Sequence, residues 1–276
     1  MLIIKNTIKS ICWIVLYFAV QIIAMAATLI FDLLTSKIPF TDINNVELVV
    51  DEAIAHVVNS AIPILIVGSL LVIATFALIK YIRKHAFDLP RVKPVDLLNL
   101  FFVGIFLNIV LTTALNHMVQ FLPESMVDDL LSSTNTAIYN QPVLVVFLGT
   151  GILIPIMEEI VFRYGVCGTL ARSNKAIALI ASSLIFGLIH GNPIQNTYAA
   201  ALGFLLGYIY LKYDNIWYPI ILHVTINSTS LALISTNIPY LSAILLIVSI
   251  LGVVLLRRVT RKNRPGKKTP ENNEIL

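Results

Sequence analysis

Cysteine is nearly absent from this 276-residue chain: the two present, Cys12 and Cys167, fall in or beside apolar runs. That excludes a disulfide framework and a CxxC zinc site, and both read as packing residues. Charge is scarce as well, at 12% of residues against roughly 25% in a soluble domain. No HExxH pair exists to hold zinc one helical turn apart, and no internal repeat or low-complexity tract is evident. A formal net charge of +4 does not indicate a nucleic-acid partner, because the excess sits in short loops and in a basic tail from Arg257 to Lys268.

What the chain has in excess is apolar surface, with 58% hydrophobic residues and a mean hydropathy of +0.88. A spanning helix needs about 20 mostly apolar residues. Runs near 8–33, 61–82, 97–118, 141–171, 176–191, 197–212, 216–236 and 239–256 predict an all-α transmembrane bundle of about eight spans. The expected organisation is one membrane domain over 1–256, with a core at 141–236 and a basic tail at 257–276. Lysines and a small-residue Ala24-Met25-Ala26 imitate a signal peptide, but the apolar run continues to Leu33 and reads as a retained helix. Basic residues cluster at 5–9, 80–93, 172–175, 212 and in the tail, while the alternate loops carry Asp42, Glu47, Asp51, Glu52, Glu124, Asp128 and Asp129. By the positive-inside rule both termini are cytoplasmic, in a multi-pass protein of the cell membrane.

An ionisable group at bilayer depth costs about 2.5–3.5 kcal/mol on insertion scales, so each one marks a protein interior or a wet cavity. The candidates are Glu158, Glu159 and Arg163 in the fourth run, His190 at the end of the fifth, and His223 with Asn227 in the seventh. Glu159 and Arg163 stand four apart with the acid first, the favourable order for a helical pair. Glu158 points about 100° away and is left for another task. Two adjacent carboxylates sharing one cation have different surroundings, the condition under which one serves as a base. Pro155 cannot donate to the carbonyl of Gly151 and is expected to kink the helix before the glutamates.

Phe186 with His190, and His223 with Asn227, are one turn apart on their helices. Counted from the cytoplasmic turns at about 1.5 Å per residue, Glu158, His190 and the His223/Asn227 pair reach roughly 12–24 Å into the membrane. Two histidines, a carboxylate and an amide at similar depth suit activation of water for attack on a carbonyl. His56, His85 and His117 fall in predicted loops and carry no assigned role. Trp217 and Tyr218 read as interfacial belt residues and Asp214 as a turn residue.

Three motifs in order, Glu158-Glu159-Ile-Val-Phe-Arg163, Phe186-Gly-Leu-Ile-His190 and His223-Val-Thr-Ile-Asn227, resemble the EExxxR, FxxxH and HxxxN motifs of the CAAX-protease and bacteriocin-processing family. This family is also called the Abi or CAAX prenyl protease type II family. The resemblance covers about residues 141–230 and implies an intramembrane peptidase. It implies a catalytic set of Glu158, Glu159, Arg163, His190, His223 and Asn227, with Phe186 and Pro155 supporting. Glu158 with His190 would activate water, His223 and Asn227 would stabilise the oxyanion, and Glu159 and Arg163 would shape the site. Relatives are often called metalloproteases, so zinc is a candidate cofactor; the missing HExxH favours a metal-free site. The implied partners are the bilayer and a membrane-associated or lipidated peptide, in CAAX processing, bacteriocin maturation, self-immunity or peptide signalling. Competing readings are a non-enzymatic scaffold or immunity protein and a proton-coupled transporter, the latter weakened by the lack of inverted repeats.

Overall fold

A computed structural model describes residues 2–35, 46–82, 92–128, 141–191, 193–235 and 240–262, and among these residues the regular structure is helical and no strand occurs. The helices are α1 (Leu2–Leu34), α2 (Val46–Asn59), α3 (Ala61–Ile82), α4 (Pro94–Val119), α5 (Val143–Ala171), α6 (Lys175–Leu188), α7 (Pro193–Tyr213), α8 (Trp217–Ser235) and α9 (Leu241–Lys262). By length and composition five can cross a bilayer: α1, α3, α4, α5 and α8. The remaining expected runs fall on α6, α7 and α9, of which α6 and Leu241–Arg257 of α9 are shorter apolar stretches. The chain is an integral, multi-pass helical membrane protein.

Helix α5 is the hub. It packs against α1 and α3 on one side, against α6 along its C-terminal half, and against α8 near its start. Helix α8 in turn rests on α4, and α9 covers α4. Only 17% of the most apolar window of α1 is buried, against 44% in α5. The outer helices therefore turn apolar surface outward, as lipid contact requires, while α5 is enclosed and can hold polar groups at a lower cost.

The acidic segment read as a loop contains helix α2. Its apolar residues Val46, Val50, Ile54 and Val58 recur every fourth position and are all exposed. With 14 residues and Glu47, Asp51 and Glu52 among them, the segment falls below any test for long apolar runs. His56 thus lies in a helix, and its Nε2 contacts Asp32 Oδ2 of α1 at 2.8 Å. His117 is likewise in the last turn of α4 rather than in a loop, and His85 lies outside the described residues. Cys167 is buried as expected, but Cys12 is exposed and does not pack within the bundle.

The most extensive helix pairing is between α6 and α7. It depends on close approach, since a Cβ on Gly187 would stand 2.6 Å from the backbone carbonyl oxygen of Asn196 and 2.8 Å from the Cβ of Ala200. Backbone cannot yield as a flexible side chain can. Gly187→Ala is therefore expected to destabilise the protein by about 1–3 kcal/mol, read as a lower thermal unfolding midpoint in detergent; an unchanged midpoint would show that the helices separate without cost.

Candidate active site

Helix α5 is not α-helical throughout. Phe147–Leu153 and Glu159–Cys167 are π-helical, and the α-helical turn Ile154–Glu158 stands between them. Pro155 begins that turn and offers no N–H to the preceding carbonyls. In α register the acceptor left unpaired is Gly151; in the wider π register, with i→i+5 bonds, it is Thr150. Helix α8 serves both. Ser228 Oγ donates to the Gly151 carbonyl at 3.2 Å, and Asn227 Nδ2 donates to the Thr150 carbonyl at 3.1 Å. The kink expected from the sequence is thus a change of helical register, closed by two side chains of a neighbouring helix. Asn108 of α4 secures the same part of α8 by donating to the Ile226 carbonyl at 3.0 Å.

The two glutamates stand at the junction of the turn and the second π segment, and both are buried. A π-helix has more residues per turn, so successive side chains diverge by less than the 100° of an α-helix. Glu159 is fully enclosed between two partners. Its Oε2 lies 3.0 Å from Arg163 Nε, and its Oε1 accepts from His223 Nδ1 at 2.8 Å. The arginine contact is an ion pair without aligned hydrogen-bond geometry. Arg163 is instead held by its whole plane, with Nη2 donating to the Gly203 carbonyl at 3.4 Å and Cζ stacked 4.3 Å from the Phe186 ring centroid. A cation desolvated over an aromatic face gains about 2 kcal/mol. Phe186 also meets the rings of His190, His223 and Phe162 edge-on, at 5.0, 5.9 and 5.4 Å.

Glu158 faces the other way, into a cavity of about 550 Å³ that it shares with His190, His223 and Asn227. His190 follows α6, and its Nδ1 donates to the Phe186 carbonyl at 2.8 Å. A carbonyl only accepts, so the proton of the neutral ring is on Nδ1 and Nε2 remains an acceptor. The Glu159 carboxylate fixes Nδ1–H of His223 in the same way, and His223 Nε2 points toward Glu158 Oε2 at 3.8 Å, beyond hydrogen-bond length. All four motif residues with reactive groups thus converge on one cavity, with Phe186 in its wall, while Glu159 and Arg163 sit behind it. Tyr17, Gln195, Tyr198 and Thr150 also line it and were not singled out from the sequence. Ser228 and Asn108 were missed too, although each is a hydrogen-bonding side chain inside an apolar run, the same signal that marked Asn227.

Zinc requires three converging protein ligands. Among the described residues no group of three His, Cys, Asp or Glu side chains is placed to hold a metal ion. Glu158, His190 and His223 border one cavity, but as placed they do not surround a common ion position.

Two substitution sets test these arrangements. Arg163→Ala leaves the Glu159 carboxylate buried without its cation and is expected to cost about 3–5 kcal/mol, measured as lost folded protein or a lowered unfolding midpoint. Glu159→Gln combined with Arg163→Met should recover much of that stability. Ser228→Ala should cost about 1–3 kcal/mol by stranding the Gly151 carbonyl. In a Pro155→Ala background, where residue 155 regains its N–H, the cost of Ser228→Ala should shrink; additive losses in that double-mutant cycle would show that the hydroxyl does not serve the proline.

Comparison with known proteins bears on the same segment. Residues 140–229 match the family model described as type II CAAX prenyl endopeptidase Rce1-like. The chain is 34% identical over 89 residues to the "Putative membrane peptidase YdiL" of Bacillus subtilis (strain 168), covering 32% of this chain and 36% of that protein. It is 32% identical over 78 residues to the UPF0177 protein YxdF of Lactococcus lactis subsp. lactis (strain IL1403), covering 28% and 43%. The match thus spans less than half the length of either relative. No solved structure matches the chain.

Proposed function

We propose that this chain, whose residues 140–229 match the Rce1-like family model of type II CAAX prenyl endopeptidases, is a member of that family and an intramembrane peptidase of the cell membrane that hydrolyses a peptide bond with a glutamate-activated water. The observation that carries the reading is the convergence of Glu158, His190, His223 and Asn227 on one cavity, with Glu159 and Arg163 enclosed behind them.

In this reading Glu158 is the general base. The His190 Nε2 acceptor helps to hold the attacking water, and Glu158 removes its proton as the oxygen bonds to the scissile carbonyl carbon. His223 acts in its doubly protonated form, with Nδ1–H held by the Glu159 carboxylate, and donates from Nε2–H to the developing oxyanion, aided by the second N–H of Asn227. Protonated Glu158 then passes its proton to the leaving nitrogen as the C–N bond breaks, giving a carboxylic acid and an amine. Glu159 and Arg163 act as positioning residues. The mechanism routes no step through a metal: Glu158, His190 and His223 border one cavity but are not placed around a common ion position. The substrate is a membrane-associated or lipidated peptide, since a cavity reached within the bilayer selects chains that partition there.

The test is cleavage of a panel of lipidated and unlipidated peptides by purified protein. Glu158→Gln and His190→Ala are each expected to lower turnover by about 10²–10⁴-fold while the protein stays folded, and a chelator should leave wild-type turnover unchanged. Full activity in both variants would overturn the assignment, and loss with chelator restored by zinc would overturn the metal-free mechanism.

A further inference from the structure

The cavity has a direction. Its outer wall is made by Ala61, Ile62 and Leu65 in the first turns of α3, by His190 in the turn after α6, and by Gln195 and Tyr198 in the first turns of α7. Each lies at the end of its helix remote from a basic cluster. Helix α3 runs from Ala61 toward the cluster at 80–93, α6 starts at Lys175 and reaches His190 after roughly 22 Å, and α7 runs away from Gln195 to Lys212. The deep wall, with Glu158 and His223, lies part-way along α5 and α8, and Thr150 and Ile154 continue it toward the start of α5, opposite the Arg172 end.

Among the described residues, Lys5, Lys9, Lys80, Lys93, Arg172, Lys175, Lys212 and Arg257 fall at helix ends on the side away from this mouth, and Arg163 lies within α5. Positively charged loops are retained in the cytoplasm, and an asymmetry this large fixes orientation. We infer that the cavity opens to the non-cytoplasmic face of the membrane, so that the substrate is a membrane-held peptide segment presented from outside rather than the cytoplasmic tail of a lipidated protein. The reaction that supplies it is therefore export or insertion of a peptide across the bilayer, and cleavage follows translocation. The orientation rests on charge and geometry alone, whereas the substrate rests on the peptidase reading.

Single cysteines in a Cys12→Ala/Cys167→Ala background test the orientation in intact cells. A membrane-impermeant maleimide should label Gln195→Cys, at the mouth, at least tenfold faster than Arg172→Cys, in the exposed turn between α5 and α6; permeabilisation should abolish the difference. Labelling of Gln195→Cys only after permeabilisation, or not at all, overturns the inference. For the substrate, a polar peptide that the purified protein cuts, added outside right-side-out vesicles, should be cut without opening them. Cutting only in opened vesicles, with Gln195→Cys labelled from outside, overturns the substrate assignment while leaving the orientation. If purified protein cuts no peptide, the peptidase reading fails and the labelling still decides the orientation.

Discussion

The structure depends on one buried charge cluster, in which the Glu159 carboxylate is shared between Arg163 and His223. Two charges removed from water cost several kcal/mol each, and their attraction offsets this only when the remaining polar atoms also find partners. Arg163 is held through Nη2 by the Gly203 carbonyl and through its plane by the Phe186 face, although its Nη1 has no hydrogen-bond partner, and this requires α7 and α6 to close on α5. His223 finds its partner in Glu159, which requires α8 to present that face. Four helices are thus held in register by a group that never enters the cavity. This explains why both arginine and phenylalanine appear in the motifs while neither can act on a carbonyl.

The cluster also gives two neighbouring acids different surroundings. Glu159 is committed on both oxygens, so it orients His223 and stays out of the cavity; Glu158 borders the cavity and keeps His223 at 3.8 Å. The π-helical stretch that begins at Glu159 is part of this division, since it alters the angle between the two side chains at the point where they must take different partners.

Much of this was legible in the sequence because charge in an apolar run is costly, and cost is readable without coordinates. Glu158, Glu159, Arg163, His190 and His223 stood out on that ground, and the i,i+4 pairing of Glu159 with Arg163 followed from helical periodicity. The all-helical membrane class followed from long apolar runs. What escaped was whatever depends on neighbours distant in the chain. Tyr17, Gln195 and Tyr198 become cavity residues only when α1 and α7 are packed against α5, and nothing in their own segments distinguishes them from interfacial or packing residues. Helix α2 was hidden because its 14 residues are too few to span a bilayer and Glu47, Asp51 and Glu52 interrupt its apolar positions, and His56 lost its expected loop with it. The wider register of α5 was hidden as well: a proline in a membrane helix announces an unpaired carbonyl, but not whether the helix bends or widens in response.

Asn227 shows how a motif residue can serve the backbone and the site together. Its amide is engaged with the Thr150 carbonyl, so it completes the hydrogen bonding of α5 at the place where Pro155 has interrupted it, and Ser228 beside it serves Gly151. An asparagine has two N–H groups on one nitrogen, and fixing one of them fixes the direction of the other. The interruption in α5 therefore does more than admit polar atoms to the membrane. It gives α8 an anchor on the helix that carries the glutamates, and the same bond sets the orientation of the amide that faces the cavity. A proline, an asparagine and a serine on two helices thereby make the geometry of the cavity a consequence of completing the hydrogen bonds of α5, which the bilayer demands in any case.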